Sequence, residues 1–329
     1  MTVSAMGMGC WAIGGPWNFG ELPGGWGEVD DQESIDAIHK AFDLGITFFD
    51  TAANYGTGRS EEIVAQALGG RRDEIVIATK FGYRLDEARK TVFGYDRDEE
   101  VVDRLPADCD ASLRRLQTEV IDLYQFHIND YPPEKAGLVR DTLEDLVAAG
   151  KIRYYGWSTD NPDGARVFAE GKHCVSVQHN MNVIADAPAV LAVCDEFNLA
   201  SINRGPLGMG MLTGKYTRDS TFAADDVRTR TWFKDGFQGP IMDNLEAVRA
   251  ILTSGGRTLA QGALAWLWAR NEHTIPIPGI RTVVQAEENA AAMAFGPLAA
   301  TQMEEIDSLI GRDQKRAGYS PSAKFSSSS

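Results

Sequence analysis

The sequence lacks several features that would place it in a specialised class of protein. Its 329 residues include only four cysteines, which lie far apart at positions 10, 109, 174 and 194 and form no C-x-x-C pair. This excludes the usual zinc-cluster spacing and favours reduced thiols, as in the cytosol. No apolar run approaches the roughly 18 residues that span a bilayer, and the first residues lack the basic segment of a signal peptide. We therefore expect a soluble cytoplasmic protein with no membrane partner.

Positive charge is also scarce. Lys and Arg total 32 residues against 47 Asp and Glu, so the formal net charge is −15. A surface this acidic repels phosphate backbones, and nucleic acid is therefore not expected as a partner. An anionic ligand would have to be held by a local group of cations and N–H donors that overcomes the overall field.

Several catalytic motifs are missing too. The five histidines never form H-x-x-x-H or H-E-x-x-H, and no G-x-S-x-G is present. The sequence therefore has neither the motif of a zinc hydrolase nor that of a serine hydrolase, and no metal ligands are predicted. A phosphate loop after Gly208 is excluded because Tyr216 stands where Ser or Thr would hold magnesium.

What the sequence does contain is a regular alternation of short β-rich runs and amphipathic helical segments. Eight strands separated by helices predict parallel strands, and the simplest closed arrangement is a (β/α)₈ barrel that forms one domain over residues 1–329. The main alternative, an open doubly wound sheet, favours a G-x-G-x-x-G turn after the first strand, which is absent. The predicted strands are Cys10–Ile13, Thr47–Asp50, Ile75–Lys80, Ile121–His127, Tyr154–Ser158, Val175–Gln178, Ser201–Arg204 and Thr274–Pro278.

Three segments fit this pattern less well. The eighth predicted strand contains Pro276 and Pro278, which a central strand should exclude. Residues 217–240, after the seventh strand, are too long for an ordinary loop and are predicted to carry function. Residues 313–329 are predicted to form a C-terminal tail, which ends in a run of serines.

Ionisable residues stand at the ends of three adjacent predicted strands. Asp50 ends the second, Lys80 the third and His127 the fourth, and Tyr55 follows Asp50 in the next loop. Chemistry in such barrels lies at the C-terminal ends of the strands, so the four side chains are predicted to meet at one rim. Each residue alone has an ordinary structural explanation, such as a solvated strand end or a loop anchor. Their coincidence at one rim indicates a catalytic site.

These four residue types also complement one another chemically. A tyrosine with a pKa of about 10 gives up its proton reluctantly at neutral pH. A lysine about 4 Å away lowers the pKa of that tyrosine, although burial of the phenolate opposes this effect. Asp50 can keep such a buried lysine charged, and His127 can supply a neutral hydrogen-bond donor. The set is suited to protonating a carbonyl oxygen while hydride arrives at the carbon.

Two motifs surround Asp50 and Tyr55, F-D-T-A-A-N-Y-G at positions 49–56 and G-R-S-E at positions 58–61. They resemble the signature of the aldo-keto reductases, and Lys80 and His127 stand where that family keeps its other catalytic residues. The resemblance covers almost the entire chain. It implies a (β/α)₈ barrel that uses NADP(H), with the active site at the C-terminal ends of the strands and with Tyr55 as the general acid.

The resemblance also implies a set of cofactor-binding residues. Near the C-terminus a Gly turn leads into a helix N-terminus, which suits an anion, and Arg281 there can fork onto a 2′-phosphate. Arg204 replaces the aromatic residue that frequently stacks on the nicotinamide, and the long segment after the seventh strand resembles the family's cofactor belt. The implied set is Trp11, Ser158, Gln178, Arg204, Gly205, Leu207, Gly210, Lys215, Gly279, Arg281, Gln285, Glu288 and Asn289.

The sequence predicts the reaction class but leaves the substrate open among aldehydes, ketones and sugars. His127 is predicted to contact the substrate as well as to take part in catalysis. Two alternatives to a reductase also stay open, a nicotinamide-binding regulatory subunit without turnover and a Schiff-base barrel enzyme that uses Lys80. The predicted substrate contacts at the mouth are Trp17 and Trp26, with Tyr83, Phe93 and Trp232 as further aromatic candidates.

Overall fold

The chain alternates strands and helices from end to end in a computed structural model, which describes residues 1–230 and 238–312. The strands are β1 (Gly7–Gly9), β2 (Asn18–Phe19), β3 (Leu22–Pro23), β4 (Phe48–Asp50), β5 (Val76–Phe81), β6 (Arg84–Asp86), β7 (Thr91–Phe93), β8 (Ile121–Phe126), β9 (Ile152–Ser158), β10 (Cys174–Asn180), β11 (Ala200–Arg204) and β12 (Thr274–Pro276). The helices are α1 (Asp31–Asp43), α2 (Arg59–Leu68), α3 (Glu99–Leu116), α4 (Pro133–Ala148), α5 (Pro162–Ala169), α6 (Pro188–Phe197), α7 (Gln238–Leu252), α8 (Leu259–Arg270), α9 (Val283–Phe295) and α10 (Ala300–Leu309).

Parallel strands form the larger of two sheets. It has eight strands in the order β1-β4-β5-β8-β9-β10-β11-β12. A parallel bridge between Gly9 and Gly279 joins the first strand to the chain just past the last one, and the Gly9 N–H donates to the Pro278 carbonyl over 2.9 Å at the same seam. The sheet therefore closes on itself, and the predicted (β/α)₈ barrel is confirmed.

Apolar side chains fill the barrel on both sides of its wall. Phe48, Leu123 and Ile202 belong to a small buried cluster that occupies the interior, and a much larger cluster packs the strands against the surrounding helices. Helix α1 shows how the sequence determines where such a helix begins. The Asp30 side chain accepts from the Glu33 N–H over 3.0 Å, in the register expected of an N-cap. The rim is thus built on a rigid, fully packed frame.

The first barrel strand lies earlier than the sequence predicts. Strand β1 is Gly7–Gly9, whereas residues predicted as strand from Cys10 onwards leave the barrel, and Ala12–Gly14 form a 3₁₀ turn. Glycine carries little strand propensity, so the pattern gave no strand signal there. Gly9 is nevertheless required, because a Cβ at this position would lie 2.7 Å from the Ile277 carbonyl oxygen at the closing seam.

The two prolines of the last strand are accommodated at that same seam. Ile277, between them, donates its N–H to the Asn203 carbonyl of β11 over 3.1 Å. Successive residues of a strand face opposite neighbours, so Pro276 and Pro278 turn their missing N–H towards β1. Towards β1, Pro278 takes part in the pairing only through its carbonyl, which accepts from the Gly9 N–H. Proline is unfavourable in a central strand because it cannot donate a hydrogen bond to the neighbouring strand, and at these two positions no such donor is needed.

A second sheet stands at the C-terminal mouth of the barrel. Its order is β3-β2-β7-β6, with β2 and β3 in the loop after β1 and with β6 and β7 in the loop after β5. The two loops are joined by parallel pairing of Asn18 with Thr91 and of Phe19 with Val92. The sequence analysis missed this sheet because strands of two or three residues leave no measurable periodicity.

The long segment after β11 folds back onto the first loop. We call residues 214–230 the belt segment. Its Val227 N–H donates to the Gly25 carbonyl over 2.8 Å, and Asp226 forms an antiparallel bridge with Trp26. Of the predicted loop 217–240, residues 238–240 already belong to α7. Residues 231–237, which include Trp232, and the predicted tail 313–329 lie outside the described residues.

Over the described ranges 1–230 and 238–312, none of the helices combines the length and the apolar character needed to cross a membrane. The same ranges hold no group of His, Cys, Asp and Glu side chains arranged to bind a metal ion.

Candidate active site

The four residues predicted to carry the chemistry meet at one end of the barrel, and we call them the catalytic corner. Asp50 is the last residue of β4, Lys80 lies near the end of β5, and His127 directly follows β8. Tyr55 begins a short 3₁₀ turn after β4. Because parallel strands of a barrel end at the same rim, these residues come into contact although they are distant in sequence.

Lys80 is the hub of the catalytic corner. Its side chain is fully buried, and Nζ donates to Asp50 Oδ2 over 2.6 Å, to the Thr51 carbonyl over 2.8 Å and to Tyr55 Oη over 3.2 Å. The ammonium group thereby uses all of its donors. Since Tyr55 Oη accepts from Lys80, the phenolic proton remains free for an acceptor on the other side.

The second oxygen of Asp50 is held by two buried amides. Gln125 Nε2 donates to Asp50 Oδ1 over 2.9 Å and Gln178 Nε2 donates to the same oxygen over 2.8 Å. Strands β5, β8 and β10 therefore all bind one carboxylate on β4. Gln178, predicted as a cofactor-binding residue, thus has its amide nitrogen engaged with Asp50, while its Oε1 lies 3.5 Å from Ser158 Oγ.

Burial and charge compete over the protonation of this corner. Burial raises the pKa of Tyr55 above its ordinary value, and the nearby Lys80 charge limits that rise without reversing it. The lowering expected from the sequence is therefore the weaker effect. Burial alone would lower the pKa of Lys80, but its interactions with Asp50 and Tyr55 together outweigh burial, so the pKa is raised and the ammonium stays charged. The corner holds a protonated tyrosine beside a fixed cation.

His127 is neutral in this setting. Burial lowers the pKa of its ring well below the ordinary value, and the positive charges of Lys80 and Arg204 lower it further. The ring stands edge-on to Tyr55, with 5.8 Å between centroids, and its Nδ1 lies 3.0 Å from Asn54 Oδ1. A neutral imidazole can orient a substrate oxygen but has no proton to spare as an acid.

A tight turn fixes Tyr55 above the barrel. Gly56 has a φ of +63°, and a Cβ there would lie 1.9 Å from the Gly14 carbonyl oxygen, so only glycine allows this approach. Ser60, one turn later, donates from Oγ to the Cys10 carbonyl over 2.7 Å. These residues of the motif after Tyr55 therefore set the path of the loop that carries the phenol.

Three of the predicted cofactor residues stand on the next strands around the rim. Ser158 ends β9, Gln178 lies in β10 and Arg204 ends β11. Arg204 donates from one guanidinium nitrogen to Asp160 Oδ2 over 2.5 Å and to Asn129 Oδ1 over 3.0 Å. Its charge is thereby held near the mouth, where it acts on His127.

The loop after β11 carries the next predicted group. Leu207 packs against the main hydrophobic cluster, and a 3₁₀ turn over Gly208–Thr213 follows it. Gly205 and Gly210 both have positive φ, so glycine suits each of these positions. Lys215 is exposed at the start of the belt segment.

The remaining predicted residues lie where the chain leaves β12, and we call Gly279, Arg281 and the first turn of α9 the phosphate side. Arg281 donates to the Trp26 carbonyl over 3.2 Å and to the Glu28 carbonyl over 2.7 Å. Its own N–H donates to Gln285 Oε1 over 2.7 Å. Arg281 therefore ties α9 to the first loop. Further along the same helix lie Glu288 and the buried Asn289.

Aromatic rings cover the catalytic corner on the side of the first loop. The Trp11 ring stacks on Tyr55 with 5.8 Å between centroids, and Trp26 meets Trp11 edge-on at 5.3 Å. Trp17 is buried in the same cluster as Tyr55 and Val92. Trp11, predicted as a cofactor residue, therefore presents its side chain to the mouth beside the predicted substrate contacts Trp17 and Trp26.

Comparison with known proteins assigns this arrangement to a family. The model of the aldo/keto reductase family matches residues 5–311. The chain belongs to this family. The recognition made from the sequence is thereby confirmed, and this aldo-keto reductase is an oxidoreductase that acts on carbonyl and alcohol groups.

Relatives of the reductase span nearly its whole length. It is 31% identical to aldo-keto reductase yakc of Schizosaccharomyces pombe, whose name specifies NADP(+), over 98% of this chain and 93% of the relative. It is 30% identical to an NADH-specific methylglyoxal reductase of Escherichia coli over 96% of each chain. Among solved structures, a glycerol dehydrogenase from Gluconobacter oxydans matches with a TM-score of 0.80 and 29% identity, over 98% of this chain and 95% of that one. A nicotinamide cofactor, as predicted, is thus named for two of these relatives, NADP(+) for one and NADH for the other.

Two side chains of the reductase's site were missed by sequence reasoning. Gln125 was hidden inside a predicted strand, although a polar residue between Tyr124 and Phe126 in a fully buried strand is itself a signal. Asn54 precedes Tyr55 in the recognised motif, but its contact with His127 depends on the path of the loop. The first could have been found from polarity and alternation, and the second could not.

Proposed function

We propose that the reductase reduces an aldehyde, ketone or sugar carbonyl to the alcohol with NADPH, or catalyses the reverse oxidation, and that Tyr55 is the general acid and base. The observation that carries this proposal is the buried chain from Asp50 through Lys80 to Tyr55, with Oδ2–Nζ and Nζ–Oη distances of 2.6 and 3.2 Å. It leaves a phenolic proton directed away from a fixed cation, as proton donation to a carbonyl oxygen requires.

Each residue of the catalytic corner has a defined task in this proposal. When bound, the nicotinamide would supply the hydride. Tyr55 gives its proton to the substrate oxygen, and the Lys80 ammonium stabilises the phenolate that remains. Asp50 keeps Lys80 charged, and the neutral His127 orients the carbonyl oxygen. The Trp11 ring covers Tyr55 on one side of the corner, and the Tyr83 ring meets His127 on the other loop.

The phosphate side fits a dinucleotide. A Cβ on Gly279 would meet no atom within 4 Å, so open space lies over the turn that leads to α9. Arg281 and the N-terminus of that helix follow Gly279 directly in the chain, and both suit a phosphate group. Arg281 is the reason to propose NADPH over NADH, because a 2′-phosphate gives the guanidinium an anionic partner in place of two neutral carbonyls.

Two features argue against the alternatives. A Schiff base needs a free neutral amine on Lys80, whereas Nζ is hydrogen-bonded to three partners and its pKa is raised by Asp50. A regulatory subunit without turnover has no need of the complete corner with its buried amides. A borohydride trap in the presence of a carbonyl should therefore leave no adduct on Lys80.

The test is a panel of aldehydes, ketones and sugars assayed with NADPH and with NADH. We expect turnover of at least one class of carbonyl and tighter binding of NADPH, measured by fluorescence titration. Binding of NADPH without oxidation by any member of the panel would support the regulatory subunit instead. Equal affinity for the two cofactors would remove the role assigned to Arg281.

A further inference from the structure

The contact between Asn54 and His127 is specific in both geometry and chemistry. His127 Nδ1 lies 3.0 Å from Asn54 Oδ1, and Asn54 is buried with 7% of its surface exposed. An amide oxygen only accepts, so this contact is a hydrogen bond in the tautomer whose Nδ1 carries the proton and donates it to Asn54. The other ring nitrogen, Nε2, then holds a lone pair.

That tautomer is the wrong one for binding a carbonyl. A carbonyl oxygen accepts hydrogen bonds, so His127 can orient it only when Nε2 carries the proton and Nδ1 is bare. A bare Nδ1 needs a donor. Asn54 can supply one, because a half-turn of its amide exchanges the oxygen for the NH₂ group at nearly the same place.

We propose that Asn54 is a positioning residue that selects which nitrogen of His127 carries the proton. In the free site the amide oxygen holds the proton on Nδ1. In the reducing site the amide nitrogen donates to Nδ1, and Nε2–H donates to the substrate oxygen. One ring proton leaves Nδ1 and one arrives at Nε2 by exchange with water, so the total charge of the pair does not change.

The surroundings allow the amide to turn. A cavity of about 160 Å³ borders Asn54, Lys80 and Tyr83, and a volume of this size can hold water beside Asn54. The backbone carbonyl of His127 accepts from Tyr83 Oη over 3.3 Å, which holds the main chain that carries the ring. A half-turn of the Asn54 amide beside this cavity is the movement that the proposal requires.

The charged groups around His127 keep the ring neutral, so that the tautomer matters. Lys80 on β5 and Arg204 on β11 are cations that disfavour a second ring proton, and the rings of Tyr55 and Tyr83 face it from the two loops. Only a new anion beside Nδ1 would overcome these effects. Asn54→Asp supplies that anion with almost no change in shape and can never donate to Nδ1.

The proposal rests on the proposed carbonyl reduction, and its experiment has one arm that does not. In the intact, uniformly ¹⁵N-labelled protein without ligand, the ring-nitrogen shifts of His127 report the tautomer and are assigned by their loss in His127→Gln. We expect protonated Nδ1 in the parent and in Asn54→Asp, and a mixture of tautomers in Asn54→Leu. A ring that keeps the same single tautomer in Asn54→Leu would overturn the proposal.

The kinetic arm measures carbonyl reduction by the same variants. Asn54→Asp should lower kcat by on the order of 10²-fold, the usual cost of one lost donor to a developing oxyanion, with the Kd of NADPH unchanged. It should also bring a His127 ionisation into the pH–rate profile, because the carboxylate raises the pKa of the ring. Asn54→Leu should lower kcat less than Asn54→Asp, because the His127 ring in this variant can adopt either tautomer.

Asn161→Asp is the matched control. Asn161 caps α5 at the same end of the barrel by accepting from the Asp163 N–H over 2.9 Å, and an aspartate caps as well while adding the same charge. It should keep the parental kcat and pH profile. Parental values for Asn54→Asp would refute the positioning role. A parent that reduces no carbonyl would refute the proposed function instead, and the ligand-free arm would still decide the role of Asn54.

Discussion

The catalytic corner and the phosphate side of this reductase are built in different ways. Each of the four side chains of the corner makes a hydrogen bond to another part of the barrel wall or to the turn above it, and Lys80 alone has three partners. On the phosphate side, Arg281 bonds to two main-chain carbonyls of the first loop. The Asp50–Lys80–Tyr55 part of the corner is fully hydrogen-bonded without a ligand, whereas we propose that Arg281 exchanges its partners when a phosphate arrives.

This difference suggests that the corner serves the chemical step and that the phosphate side serves binding of the cofactor. A preorganised corner stabilises charge without rearrangement at the moment of reaction. A guanidinium that must leave two carbonyls before it binds a phosphate gives up part of its binding energy. Substitutions in the corner should therefore reduce turnover and spare cofactor affinity, and substitutions on the phosphate side should do the opposite.

The largest effect is expected from Tyr55→Phe, which removes only the phenolic hydroxyl. NADPH should bind as before, while carbonyl reduction falls by about 10²–10⁴-fold or more, as for a lost general acid. Single-turnover stopped-flow measurement of NADPH oxidation isolates this step from cofactor release. Hydride transfer at a near-parental rate would show that another group donates the proton.

Lys80→Met should be almost as damaging to turnover. Without the ammonium the pKa of Tyr55 rises further, because burial raises it and Lys80 opposes the rise. The protonated phenol is the active form in reduction, so activity should persist to higher pH in the variant but at a lower plateau. The double variant with Tyr55→Phe should be no worse than the single variants, since both remove the same proton donation.

A folding control is needed for Lys80→Met, because it leaves the buried Asp50 carboxylate unpaired. Breaking such a pair costs about 3–5 kcal/mol of stability. Asp50→Asn combined with Lys80→Met removes both charges and should recover much of that loss in thermal unfolding, while the turnover defect remains. Recovery of turnover together with stability would mean that Lys80 acts only on folding.

On the phosphate side, Arg281→Ala should weaken NADPH binding by roughly 1.5–3 kcal/mol, the usual value of hydrogen bonds to a charged group. NADH has no 2′-phosphate, so its affinity should hold or rise as the loop around Trp26 is released. Fluorescence titration with the two cofactors measures both. An equal loss for NADPH and NADH would assign Arg281 to the structure of the loop alone.

The smallest effect is expected in the belt segment. Arg228 stacks over the Trp26 ring at 5.1 Å and pairs with Asp226 over 2.6 Å. Its replacement by alanine should loosen the belt and raise the Kd of both cofactors by about fivefold, which corresponds to a cation–π contact of about 1 kcal/mol. A loss confined to NADPH would mean that Arg228, and not only Arg281, contacts the 2′-phosphate.

Much of the corner follows from the sequence because strand register is a local property. Once Asp50, Lys80 and His127 are placed at the ends of adjacent parallel strands, the barrel brings them together whatever the loops do. Burial of apolar residues at helical spacing likewise fixes which segments surround the barrel. These predictions needed no knowledge of long-range contacts.

The rest depends on contacts between loops. The tie from Arg281 to the first loop joins residues more than 250 positions apart, and no periodicity reports such a contact. The first strand was misplaced because Gly7 and Gly9 are required by the close approach of neighbouring strands and have little strand propensity of their own. The dominance of burial over Lys80 at the Tyr55 pKa also required the depth of the phenol to be known.

The small sheet at the mouth has a consequence for changes of substrate. Because β2 in the first loop pairs with β7 in the third, neither loop can be exchanged for an unrelated one without exposing the edge of the other. Grafting both loops together keeps the pairing and leaves every strand that carries the catalytic corner untouched. The two loops therefore have to be replaced or varied together. A directed-evolution search for new substrates is expected to yield more folded variants when both loops are diversified as a unit.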